Sequence, residues 1–184
     1  MRLTNGSLLF ALLSLSVVIV AQDNPRFTYP YLLHLQTMTF DDQACVLLRR
    51  DGRFHLEVEK GDHTKVFEGT LPGQKMGEVQ QLINNAQLTE LTQRQVAVPT
   101  GPIILDELHI DVFRGDHWQV LFFPDVSTRR PFDNFVEPLV QWLQALPKQP
   151  HRELSEDEGK NDCQLPKRLV LKRRENGLGK ADSH

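Results

Sequence analysis

Ala44-Cys45-Val46-Leu47-Leu48-Arg49-Arg50, then Asp51-Gly52, then Arg53-Phe54-His55-Leu56-Glu57-Val58-Glu59 is the stretch that decides the fold class. Two runs of strand-forming residues flank Asp-Gly, a pair suited to a type I′ turn, whose two central residues both need φ > 0. The stretch therefore reads as a two-residue β-hairpin. Such a turn opposes Arg50 to Arg53, so Leu47 faces Leu56 and Cys45 faces Val58 on one apolar face. His55, Glu57 and Glu59 fall on the other face, which reads as solvated.

Working outward, residues 32–40 read as a preceding strand, and 63–71 as a returning antiparallel strand with Phe67 beside Leu56. Pro72 and Gly73 break that run. Met76, Val79, Leu82, Ile83 and Ala86 then recur at helical spacing, which predicts an amphipathic helix over 74–86 whose packing Leu88 and Leu91 continue. After a loop with Pro99, Gly101 and Pro102 comes a second hairpin turning at Gly115-Asp116, which opposes Phe113 to Trp118 and Ile110 to Leu121. Leu108, Ile110, Val112, Leu121 and Phe123 make its apolar face. A second helix presents Phe135, Leu139, Trp142 and Leu146 on one side, with Pro138 placed in its first turn, where a missing N–H costs little. The order β-β-β-β-α-β-β-α predicts an α+β fold, an antiparallel sheet of about five to six strands with two helices packed on one face.

The N-terminus carries Arg2, then an apolar run of thirteen residues from Leu8 to Val20, then Ala21 before Gln22. That layout is a secretory signal over 1–21, and the run is short of the roughly 20 residues a spanning helix needs. The expectation is an exported protein, periplasmic or secreted, with no membrane span after cleavage. Residues 22–148 form one domain, and 149–184 a charged, mostly disordered tail in which the stretch 168–173 suits a docked strand. Residues 22–148 hold 12 Lys/Arg against 17 Asp/Glu, an acidic body that argues against nucleic acid as a partner. Two cysteines are present, Cys45 and Cys163. Export favours a bridge between them, while the hairpin pattern points Cys45 into a core as a free thiol, and both readings stand.

Three functional readings follow. In the first, the domain is non-catalytic and binds another protein in the envelope or outside the cell. The anchors are Phe113, Trp118 and Phe122, large rings on an otherwise polar strand face. Their competing role is to be covered by the aromatic lead-in at 27–31 or by Leu169–Leu171. A second reading is a small hydrolase or metal-dependent enzyme in which His55, Glu57 and Glu59 converge with Glu107, His109 and Asp111. A third is a structural envelope protein. Absence of a Gly-x-Ser-x-Gly elbow, a phosphate loop and CxxC or HxxxH spacing disfavours an enzyme, and calls for no cofactor and no metal.

Overall fold

Alternation sets the architecture. The computed structural model describes residues 29–97, 105–159 and 163–165. Its strands are β1 (Tyr31–Thr39), β2 (Asp42–Arg49), β3 (Arg53–Lys60), β4 (His63–Thr70), β5 (Asp106–Phe113), β6 (Trp118–Phe123) and β7 (His151–Leu154). They form one seven-stranded antiparallel sheet in the order β6-β5-β1-β2-β3-β4-β7. Helices α1 (Gly73–Ile83), α2 (Ala86–Glu90), α3 (Val126–Arg129), α4 (Asp133–Ala145) and α5 (Glu156–Gly159) complete the chain order. Val79 and Ile83 of α1, with Phe135, Val136, Leu139, Val140 and Leu143 of α4, pack onto Leu33, Leu35, Val46, Leu48, Leu56, Leu108 and Ile110. The fold is the expected α+β class, with both long helices on one face.

The first hairpin departs from the expected register by one residue. Leu48 lies opposite Phe54 and Val46 opposite Leu56, so Arg50-Asp51-Gly52 is a three-residue loop. Gly52 has φ 85°, and its N–H donates to the Arg49 carbonyl at 3.1 Å, the geometry of a turn closed by one left-handed residue. The slip moves Cys45 and Leu47 to the sheet's other face and puts Val46 and Leu48 in the main core. The second hairpin keeps its expected register, with Phe113 opposite Trp118 and Ile110 opposite Leu121.

Two further differences matter. Helix α4 starts at Asp133, an acidic first-turn residue that suits a helix N-terminus, so Pro138 sits inside it and not in its first turn. The bond from residue 138 to the Asn134 carbonyl cannot form there. The sheet is also larger than expected, because residues 151–154, read from sequence as part of the tail, pair with β4 as a seventh strand. Beyond β7, residues 155–159 and 163–165 form a strap on the face opposite the helices. A Cβ on Gly159 would lie 2.8 Å from Val66 Cγ1 and 3.3 Å from His55 Cε1, so only glycine lets this strap lie flat. The proposed signal at 1–21 and the stretch 168–173 lie outside the described residues.

Polar ties hold the edges to the layers. The Arg129 guanidinium donates to both Asp106 carboxylate oxygens, at 2.9 and 3.1 Å, joining α3 to β5. Gln119 Nε2 donates to the carbonyls of Leu88 and Leu91, both at 2.7 Å. Arg114, held to Gln119 and the Ile83 carbonyl, has its guanidinium pKa lowered by burial. The Gln93 side chain exchanges two hydrogen bonds with the backbone of Phe122, at 2.7 and 3.0 Å, occupying the outer edge of β6.

Candidate functional site

The face of the sheet away from the helices carries every site residue named from the sequence. His55 and Glu57 on β3 are not solvated. Their side chains are each 13% exposed, bonded to each other at 3.0 Å, and Glu57 Oε1 also accepts the Cys163 N–H at 2.9 Å. Glu59 is exposed. Glu107, His109 and Asp111 lie on β5, with β1 and β2 between them and β3. Three strand spacings of about 4.8 Å keep the two triads roughly 14 Å apart, so they do not converge on one ion.

Asp111 instead converges with residues on the two strands that intervene. His34 lies directly across from it on β1, and Cys45 on β2 is the diagonal neighbour of His34. His34 Nδ1 is 2.8 Å from Asp111 Oδ2, and its Nε2 is 3.2 Å from the Cys163 carbonyl oxygen and 3.4 Å from Cys45 Sγ. Both ring nitrogens thus lie within hydrogen-bond reach of a polar group.

Cys45 and Cys163 are bridged, across a separation of 118 residues, with Cα atoms 6.1 Å apart. They are 2% and 5% exposed and pack with Leu47, Tyr31 and Leu165 in a small second core beneath the strap. Cys45 Sγ also lies 3.1 Å from the Cys163 carbonyl oxygen. A bridged sulfur carries no proton, so this is close packing and not a hydrogen bond. His34 Nε2 and the two sulfurs lie within 4.8 Å of one another, but sulfurs bonded to each other offer no thiolate to a metal ion.

A groove of about 590 Å³ opens beside the strap, lined by Leu47, Arg49, Arg53, His55, Arg152 and Gln164 among others. Arg49 Nε is buried there with no hydrogen-bond partner among the described residues. Arg53 pairs with Asp51 and Arg152 with Glu68, both at exposed positions. Glu68 lines the groove as well, so Arg49, Arg53 and Arg152 outnumber the carboxylates of the lining.

The three ring anchors separate. Phe113 is buried, with Tyr29 edge-on at 5.0 Å, Trp118 at 5.3 Å and the Arg50 guanidinium at 5.1 Å from its ring, so Tyr29 of the lead-in covers it. Trp118 and Phe122 are half-buried, and His109 stacks on Phe122 at 4.4 Å. Between them Val120 is 47% exposed.

Sequence reasoning missed His34 and the arginine groove. A lone histidine between Leu33 and Leu35 in an apolar strand was the available signal for the first. The second assembles from β2, β3 and the unexpected β7.

Fold and site together define an α+β domain closed by one buried disulfide beside a histidine–aspartate pair. No protein-family model matches the chain. No curated protein matches it in sequence. Among the described residues, no helix is long and apolar enough to cross a membrane.

Proposed function

We propose that the protein is an exported, non-catalytic domain that binds an extended segment of another protein along the outer half of hairpin β5–β6. The observation that carries this is Val120, 47% exposed on the edge strand between two half-buried rings. Gln93 occupies the outward backbone groups of Phe122, and antiparallel alternation turns those of Val120 the same way. A partner strand placed there gains backbone hydrogen bonds and seats side chains against Trp118 and Phe122. The buried bridge and the secretory layout of residues 1–21 support a location outside the cytoplasm.

Phe113 belongs to the interior of this hairpin and not to the contact surface. Val120→Lys is therefore the clean probe, since Trp118 packs on Phe113 and its loss disturbs the fold. A photo-crosslinking side chain placed at residue 120 in the source cell should trap one protein, with a control at Phe40, 88% exposed on another turn, trapping none of it. The purified pair should then bind, and Val120→Lys should weaken binding by about tenfold or more, as for a central contact. Equal crosslinking at both positions, or unaltered affinity of the lysine variant, would overturn the reading.

A further inference from the structure

The row Asp111, His34, Cys45 crosses three adjacent strands, β5, β1 and β2, directly from Asp111 to His34 and diagonally from His34 to Cys45, with spacings of 2.8 Å and 3.4 Å. A carboxylate orienting an imidazole whose other nitrogen meets a sulfur is the arrangement that generates and holds a thiolate. A disulfide kept only as a staple has no use for it. We propose that the Cys45–Cys163 bridge is an exchangeable thiol–disulfide couple. In it, Cys45 is the thiolate held by His34, and small anionic thiols and their disulfides are the substrate class.

The two sulfurs have different roles because they sit on different parts of the fold. Cys45 lies in β2, the fourth strand of the sheet order, and cannot leave. Cys163 lies on the strap, held by its bond to Glu57 and by the bridge itself. An incoming thiolate attacks Cys163 Sγ, forming a mixed disulfide. The electron pair of the broken bond passes to Cys45 Sγ, which becomes a thiolate facing His34 Nε2. A second thiol then attacks the small molecule's sulfur in the mixed disulfide and releases Cys163. Two external thiols become one disulfide, the protein bridge becomes two thiols, and two electrons and two protons have moved. Run backwards, the Cys163 thiolate attacks an external disulfide and expels one small thiol, and the Cys45 thiolate then attacks Cys163 Sγ in the mixed disulfide, closes the bridge and expels the second.

The environment of Cys45 sets the balance. Towards it face His34 and, through His34, Asp111 from β1 and β5; Glu57, directly across on β3; and His55, bonded to Glu57. Glu57 opposes a thiolate, but its Oε1 is occupied by the Cys163 N–H and by His55. His34 favours one. A stabilised leaving thiolate departs faster and makes the bridge easier to reduce. The groove supplies the approach. It reaches Gln164, next to Cys163, and Leu47, which packs on both cysteines, and its arginines attract a thiol that carries carboxylates.

The experiment equilibrates the full chain with reduced and oxidised glutathione and counts trapped thiols. His34→Gln should shift the equilibrium at least tenfold towards the bridged form, about 30 mV for a two-electron couple. Asp111→Asn, at a positioning residue, should shift it the same way by less. In the reduced wild type, alkylation of Cys45 should have its pH midpoint below the ordinary thiol value of about 8.5, and His34→Gln should restore that value. Should His34→Gln fail to fold, Asp111→Asn and the ultraviolet thiolate absorbance of reduced wild type carry the test. Arg49→Gln with Arg152→Gln should slow reduction by glutathione about fivefold and leave uncharged dithiothreitol unaffected, by loss of steering. An ordinary or raised midpoint for Cys45 in reduced wild type, with no shift in the variants, would show the bridge to be a staple only. Equal slowing of both reductants would exclude the groove as the route.

Discussion

Opening the Cys45–Cys163 bridge is expected to cost the domain a large part of its stability while leaving the sheet and helices in place. The bridge closes a loop across 118 residues, nearly the whole fold. On the loop-entropy model a crosslink of that length disfavours the unfolded chain by about 5 kcal/mol. The reduced native state recovers some of this, because the segment after β7 loses its covalent tie and keeps its contacts with β4, its packing on Leu47 and Tyr31 and the Cys163–Glu57 hydrogen bond. The net loss should be about 3–4 kcal/mol, which lowers the melting temperature of a domain this size by roughly 10 °C. Urea unfolding followed by the fluorescence of Trp118 and Trp142, with and without reductant, measures it, and a thiol count confirms that both sulfurs are free. Cys45→Ala with Cys163→Ala should match the reduced protein. An unchanged midpoint with two titrated thiols would refute the reasoning, since the bridge would then constrain nothing that unfolding releases.

Two other expectations concern polar contacts. Arg129→Met removes a bidentate, mostly buried contact to Asp106 and should destabilise by about 1.5–3 kcal/mol, with Asp106→Asn adding little on top in a double-mutant cycle. Equal and additive losses would show that the pair does not act as a unit. The second expectation concerns acid. Among the described residues, four carboxyls lie below their usual values: Asp125 through the Ser127 hydroxyl and Thr128 N–H, Asp51 through Arg53, Asp116 through His117 and Glu158 through the Ser155 N–H. Folded pKa values below the unfolded ones mean the unfolded chain binds more protons near pH 4. Their contribution is therefore full above the unfolded carboxyl value of about 4 and is lost as pH falls through the lower folded values. Unfolding midpoints taken from about pH 5 down to pH 2 should fall, and Asp125→Asn should flatten that slope; an unaltered slope would remove Asp125 from the set.

How much of this was legible depended on whether alternation was clean. In β5, Glu107, His109 and Asp111 alternate with Leu108, Ile110 and Val112, so the hairpin's faces and register could be read directly. In β2, Ala44 to Leu48 is apolar on both sides, because the second face is buried too, under a strap 118 residues away in sequence. Nothing local distinguishes the two registers there, and Asp-Gly fits both loop lengths. The seventh strand was hidden for a different reason. His151-Arg152-Glu153 is a short, charged, half-solvated edge, and its pairing with β4 comes from tertiary contact and not from propensity. The Cys–His–Asp row joins three strands brought together by topology, so neither spacing nor motif announces it.

The clamp of Gln93 on Phe122 has a consequence for assembly. A sheet grows by adding strands at its margins, and identical copies polymerise when one margin is long, flat and open. Here one margin is stopped by a side-chain amide that mimics a strand for a single residue, and the other ends in four residues with charged Arg152 and Glu153. Both margins, as described, are thus poor templates for an identical strand, which works against open-ended growth of the sheet from copy to copy.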